Sequence, residues 1–284
     1  MSRRAAALAC LMLGAATAAA APIAVAVSVP PQAALVEAVG GDRVAVVTAV
    51  PPGESPHAFD PTPTQVARLA TCRLYVATGV EVEIQLLPRL EAVAADLTVV
   101  GPVAHAHGGH DHDHHHHDHP DPHIWLDPLQ AAEQVRTVGR MLARLDPAGE
   151  AGYQQREAAT VERLEALHAE LEMILAPVRG RDLVVAHPAF GHLAAAYGLH
   201  QIAIEHEGHQ PSPRQLARVI ERVRDRGASN LFVQPQFPLA AARSLARAAD
   251  VELVVLDPLA RDYFDNMRSM SRTIAQALTP ATGS

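Results

Sequence analysis

The chain alternates short, β-branched, almost uninterrupted apolar runs with amphipathic stretches, and this alternation leaves few folds open to it. "IAVAVSV" at 23–29, "RVAVVTAV" at 43–50, "RLYVAT" at 73–78 and "LTVV" at 97–100 have no polar face. Strands of that kind are buried on both sides, as in a parallel sheet covered by helices. Between them "PPQAALVEAVGG", "TPTQVARLAT" and "EVEIQLLPRLEAVA" supply the covering helices and give a βαβ rhythm.

The rhythm then pauses. "DPLQAAEQVRTVGRMLARL" reads as one helix, and a longer one follows within 147–178, with Val161, Leu164, Leu167, Leu171 and Ile174 at helical spacing. Strands "DLVVAH", "QIAI", "NLFVQ" and "ELVVL" come next, separated by helices expected near 189–198, 212–227, 238–249 and 262–279. The predicted class is α/β, with two (β/α) lobes that each carry a four-stranded parallel sheet, joined by a single long rigid helix. The expected boundaries are 22–146 for the N-terminal lobe, 147–178 for the connecting helix and 179–284 for the C-terminal lobe.

Residues 1–21 have the anatomy of a cleavable secretory leader: two arginines, a short apolar run and small residues of the A-x-A type. No later segment is apolar for the roughly 20 residues that a membrane span needs, so a periplasmic mature chain is expected. Only Cys72 lies outside the leader, since Cys10 falls within it, and an intramolecular disulfide is therefore excluded despite export. Lipid attachment at Cys10 is disfavoured because the apolar run continues past it. With 23 Lys and Arg against 31 Asp and Glu, the net charge is −8. No basic block interrupts that balance, which excludes a nucleic-acid partner.

One segment breaks the βα order. Residues 101–122 have no apolar periodicity and contain nine histidines, His105, His107, His110, His112, His114, His115, His116, His117 and His119, interleaved with Gly and Asp. The segment exceeds the ~12–15 residues at which structureless loops become uncommon, and it reads as an insertion. These nine are secondary, low-affinity metal candidates, since ordering a flexible tract opposes binding.

Ligands of parallel α/β sheets gather beyond the carboxyl ends of the strands. Four residues stand there or at a helix opening: His57 in "PPGESPHAFDP", His123 in "DPHIWLDP", His187 in "VVAHPAF" and Asp257 in "VVLDP". Asp60 and Asp127, each directly before a proline, fit helix caps better than ligands. Three imidazoles and a carboxylate suit Zn²⁺, which takes four ligands tetrahedrally, and disfavour all-oxygen Mg²⁺ or Ca²⁺ sites.

The ordered set "VPPGESPHAFDPTPTQ", "DPHIWLDP", "AHPAFGHLAAAYGL", "GHQPSPRQL", "PQF" and "VVLDPLARDYFDNM" resembles the metal-binding receptors of bacterial zinc and manganese ABC importers, in the zinc branch with its histidine-rich loop. The resemblance spans essentially the whole mature chain. It implies one metal in the cleft between the lobes, held by His57, His123, His187 and Asp257. It also implies a high-affinity periplasmic receptor, monomeric, that delivers Zn²⁺ to a membrane permease. At the third ligand position manganese receptors carry glutamate, where this chain has His187. The carboxylate that some zinc receptors place before the first ligand is Pro56 here, so Asp257 or a water must complete the shell. His206 and His209 are read as solvated loop residues near the cleft, His168 and His200 as structural or exposed, and His192 as a packing residue.

The competing reading from another class is a secreted zinc hydrolase. Catalytic zinc keeps a water position open and needs a general base. No H-E-x-x-H occurs and no Glu adjoins any of the three histidines in sequence. A non-enzymatic receptor is expected, with a manganese receptor of the same family as the nearer alternative and a passive zinc buffer as a third.

Overall fold

The computed structural model describes residues 21–102, 121–204, 220, 221, 224, 227–236 and 239–279. The leader up to residue 20, the histidines at 105–119, His206, His209 and most of the helix expected at 212–227 lie outside the described residues. Strands β1 (Ile23–Val27), β2 (Val44–Thr48), β3 (Leu74–Val76) and β4 (Thr98–Val100) form a sheet of order β2-β1-β3-β4. Strands β5 (Asp182–Val185), β6 (His200–Ala203), β7 (Asn230–Val233) and β8 (Glu252–Val255) repeat that order as β6-β5-β7-β8. Every pairing is parallel. Both four-stranded parallel sheets are therefore present as expected, each with its chain reversal beside its first strand.

The described helices are α1 (Pro30–Gly40), α2 (Pro63–Leu69), α3 (Glu81–Glu91), α4 (Pro128–Leu145), α5 (Glu150–Leu175), α6 (Gly191–Tyr197), α7 (Leu239–Ala249) and α8 (Tyr263–Leu278). The central strand β1 is closed off by α1, and Val25 and Val27 are fully buried. Near-continuous apolar strands follow from that burial on both faces.

Single-turn 3-10 segments flank α5 (Pro147–Gly149 and Ala176–Val178), so the connector occupies 147–178. It buries Tyr153, Thr160, Leu164, Leu167, Leu171 and Leu175, whereas Val161 and Ile174 sit at the margin of this face. Each buried leucine contributes ~1.5–3 kcal/mol. The same apolar cluster runs from Val25 and Val36 through Leu164 and Leu171 to Phe232 and Met267, so one core passes through both lobes. Polar contacts lock the connector at each end. Arg156 donates to the carbonyls of Val39 and Gly40 at the end of α1, at 2.7 and 3.1 Å. Glu170 accepts from Arg268 of α8 at 2.6 Å.

The two cap expectations divide. Asp127 caps α4, accepting from the Leu129 N–H at 2.9 Å. Asp60 does not cap α2. Thr62 does, accepting from the Gln65 N–H while Gln65 reaches back to the Thr62 N–H, and Asp60 instead meets Arg89 at 3.1 Å. A hydroxyl three residues before Gln satisfies two helix-end donors at once, which outweighs an Asp standing two residues too early. Among the described residues no helix is long and apolar enough to cross a membrane.

Candidate metal centre

Three loops carry the candidate ligands to one place. His57 lies in the turn-rich segment after β2, where its N–H donates to Ser55 Oγ at 3.4 Å. His187 comes two residues after β5, in a tight turn closed by the Ala189 N–H donating to the His187 carbonyl at 2.8 Å. His123 immediately precedes the 3-10 turn Ile124–Leu126 that leads into α4.

The His123 segment is held from both lobes. Thr78 Oγ1, after β3, donates to the Pro122 carbonyl at 2.8 Å. Trp125 is buried, with its indole N–H donating to the Pro258 carbonyl, and its own carbonyl accepts from the Tyr263 hydroxyl, both at 2.8 Å. His192 on α6 stands 2.9 Å from the Asp121 carbonyl through Nε2, and Gln130 Nε2 lies 2.7 Å from its Nδ1. A carbonyl can only accept, so His192 Nε2 carries the proton and Nδ1 accepts from the Gln130 amide. His192 is thus a hydrogen-bonded strut between α4, α6 and the His123 loop, which corrects its expected role as a packing residue.

Donor atoms of His57, His123 and His187 all lie within 4.8 Å of one another, the one such group of three among the described residues. Ring centroids are 4.2 Å apart for His57 and His187, 5.6 Å for His123 and His187, and 5.9 Å for His57 and His123. A tetrahedral zinc with ~2.0–2.1 Å bonds needs its nitrogens about 3.3 Å apart. His123 and His187 are buried, and the His57 side chain is 19% exposed.

Two carboxylates back this triad. Asp121 Oδ1 is 2.7 Å from His123 Nδ1 and also accepts from the His123 N–H at 3.0 Å. Glu81, the first residue of α3, places Oε2 2.6 Å from His57 Nδ1. A carboxylate on Nδ1 holds the proton there and leaves Nε2 as the free donor, the arrangement that orients metal-ligating histidines. Burial pushes both carboxyls up, but the facing imidazoles outweigh it and hold Asp121 and Glu81 below the usual carboxylate range. Burial lowers the His123 pKa, with the neighbouring His187 and His57 adding to the depression and Asp121 opposing it. Its ring is therefore neutral, as a metal ligand must be.

Neither carboxylate was among the sequence candidates. Asp121 had a signal, two residues before His123 in "DPH". Glu81 had none in the linear order, because its loop follows a different strand.

Asp257 stands outside the group of three. Its Oδ1 accepts from Gln236 Nε2 and from the Leu259 N–H, each at 3.0 Å, in the turn beyond β8. His168 contacts the Tyr197 hydroxyl at 3.2 Å, and His200 is exposed, 3.6 Å from Asp182.

Comparison with known proteins places the fold and the family. A crystal structure of ZnuA superposes with a TM-score of 0.80 at 32% identity, covering 91% of this chain and 100% of the other. A zinc-bound ZnuA deletion mutant gives 0.81 at 32% identity, covering 92% and 99%. The zinc-binding lipoprotein AdcA of Streptococcus pneumoniae is 27% identical over 234 residues, which span 78% of this chain and 47% of that protein. Residues 25–277 match the family described as "Zinc-uptake complex component A periplasmic", and the chain belongs to that family.

Proposed function

We propose that this protein is a periplasmic receptor that captures Zn²⁺ with His57, His123 and His187 and hands it to the membrane permease of an ABC importer. The observation that carries this is the convergence of three imidazoles from three loops, two of them fixed by carboxylates. Imidazole nitrogens suit a borderline cation better than a hard one. The similar structures include a substrate-binding protein of Pseudomonas aeruginosa in complex with Mn²⁺, so the fold itself does not choose the metal. An all-imidazole triad supports the zinc reading.

Asp257 is the candidate fourth donor, its Oδ1 held by Gln236 and the Leu259 N–H; a water would serve otherwise. A receptor is favoured over a hydrolase because the two carboxylates beside the triad, Glu81 and Asp121, each already face an imidazole. A general base must face the water that it deprotonates. Export through the leader, a monomeric state, and a collecting role for the histidine tract at 105–119 complete the proposal.

Competition titration with a zinc chelator tests it. One tight equivalent is expected, lost in His57→Ala, His123→Ala and His187→Ala alike, together with failure of a null strain carrying these variants to grow when zinc is scarce. Unchanged stoichiometric binding in all three variants would refute the site.

A further inference from the structure

The three ligand positions are not equally secured. His123 is clamped by Thr78, Asp121, His192 and the buried Trp125, and His187 sits in a short turn off a central strand. His57 lies in a segment of successive turns without helix or strand between Pro51 and Thr62. The carboxylate that meets its ring comes from a far stiffer element. Glu81 begins α3, and the turn before α3 is fastened by Glu83, which accepts from the Thr78 N–H at 2.8 Å and the Gly79 N–H at 2.9 Å. Glu83 is fully buried and also accepts from the Ser28 hydroxyl at the end of β1. Glu81 is thus presented from a platform fixed to the sheet, 2.6 Å from His57 Nδ1.

We propose that Glu81 is the positioning residue for the least constrained ligand, fixing His57 in the Nδ1–H tautomer with Nε2 turned toward His123 and His187. The inference rests on the receptor reading above and assigns Glu81 no bond to the metal. An imidazole on a loop without this partner samples both tautomers and several rotamers, so part of each encounter with metal would find the wrong nitrogen. The charge acts in the same direction. Glu81 and Asp121 place two negative groups one ring away from the dication, which strengthens both imidazoles as donors and compensates the charge that three neutral ligands leave unbalanced.

The test uses the full mature chain. Glu81→Ala is expected to weaken zinc binding by about 10–100-fold, mainly through faster dissociation. Glu81→Gln, whose amide oxygen can face Nδ1–H from the same position, should recover part of the loss. Long-range ¹H–¹⁵N NMR of the metal-free protein should show His57 passing from one tautomer to a mixture in Glu81→Ala while His123 keeps its own. Wild-type affinity in Glu81→Ala, or an unchanged His57 tautomer, would overturn the assignment and reduce Glu81 to a helix-terminus charge. So would zinc-edge absorption showing that Glu81→Ala loses an oxygen from the coordination shell, since Glu81 would then be a ligand. If His57→Ala binds zinc as tightly as the wild type, the receptor site itself fails. A loss in His57→Ala with none in Glu81→Ala sinks only the role of Glu81.

Discussion

The indole N–H of Trp125 donates to the carbonyl of Pro258 at 2.8 Å, tying the segment that carries His123 to the turn that carries Asp257. Ile124–Leu126 belongs to the approach to α4, whereas Pro258 follows the last strand of the second sheet, so the bond crosses between lobes. Trp125→Phe keeps one aromatic ring, removes the donor and leaves part of the buried indole volume unfilled. Leaving a buried carbonyl unpaired costs about 1–3 kcal/mol, and the expected outcome is that loss in chemical denaturation, with a several-fold weaker zinc affinity.

Gly191 offers a sharper probe of the same loop. A Cβ at this position would stand 2.4 Å from Asp121 Oδ2, too close to coexist with the carboxylate that holds His123. Gly191→Ala is expected to bind zinc about 10-fold more weakly while the fold stays as stable. Gly198→Ala is the contrasting variant, since Gly198 ends α6 at φ +69. It should lower stability by ~1 kcal/mol and leave zinc affinity alone. Equal affinity in both variants would remove Asp121 from the account of the site.

His187→Glu replaces a borderline nitrogen with a hard oxygen and adds negative charge. The ratio of zinc to manganese affinity, measured by competition, should fall by at least about 10-fold. An unchanged ratio would exclude His187 as a ligand.

Acid should release the metal, because protons compete for the imidazoles as pH falls through the ordinary histidine range near ~6.5. The sign for His123 follows from its burial. A depressed pKa in the folded state means that the unfolded chain takes up this proton more readily, so His123 contributes stability above ~6.5 that is lost as pH falls toward its lowered value. Its ring stays available to metal into mildly acidic solution. Chelator competition between about pH 8 and 5 should show binding that weakens monotonically, and a flat profile would contradict an imidazole site.

Deletion of residues 105–119 and the substitution His123→Ala should give opposite results in calorimetry. Removing the tract is expected to abolish weak additional zinc equivalents and keep the tight one. His123→Ala should abolish the tight equivalent and spare the weak ones, because His123 is held in place before metal arrives.

The sheets were legible because their strands are buried on both faces. "IAVAV", "LYV" and "NLFV" carry no polar residue that could face solvent, apart from Asn230 and the Tyr75 hydroxyl, and each of these finds a hydrogen-bond partner. Boundaries ran one to three residues long where the apolar run continues into the ligand loop, as at Ala186 and Ala49. The triad was legible because parallel sheets bring the carboxyl ends of their strands together. What surrounds the triad was not. The partner of His57 comes from a different strand's loop, and both ring nitrogens of His192 are engaged by residues from two other elements. Such pairs depend on how helices dock on the sheet, which periodicity does not encode. The Thr62 cap is a different kind of miss, since T-P-T-Q carries its own signal and Asp60 drew attention from it.

The single core that runs through α5 has a consequence for signalling. Lobes that share buried leucines with a common axle and are locked to it at Arg156 and Glu170 are expected to make no large swing when metal binds. A partner that must tell a loaded molecule from an empty one is left to read a local message: the set of the His57 turn, the charge at the rim, the order of a loop. On this reading the loaded and the empty molecule are expected to share one outline.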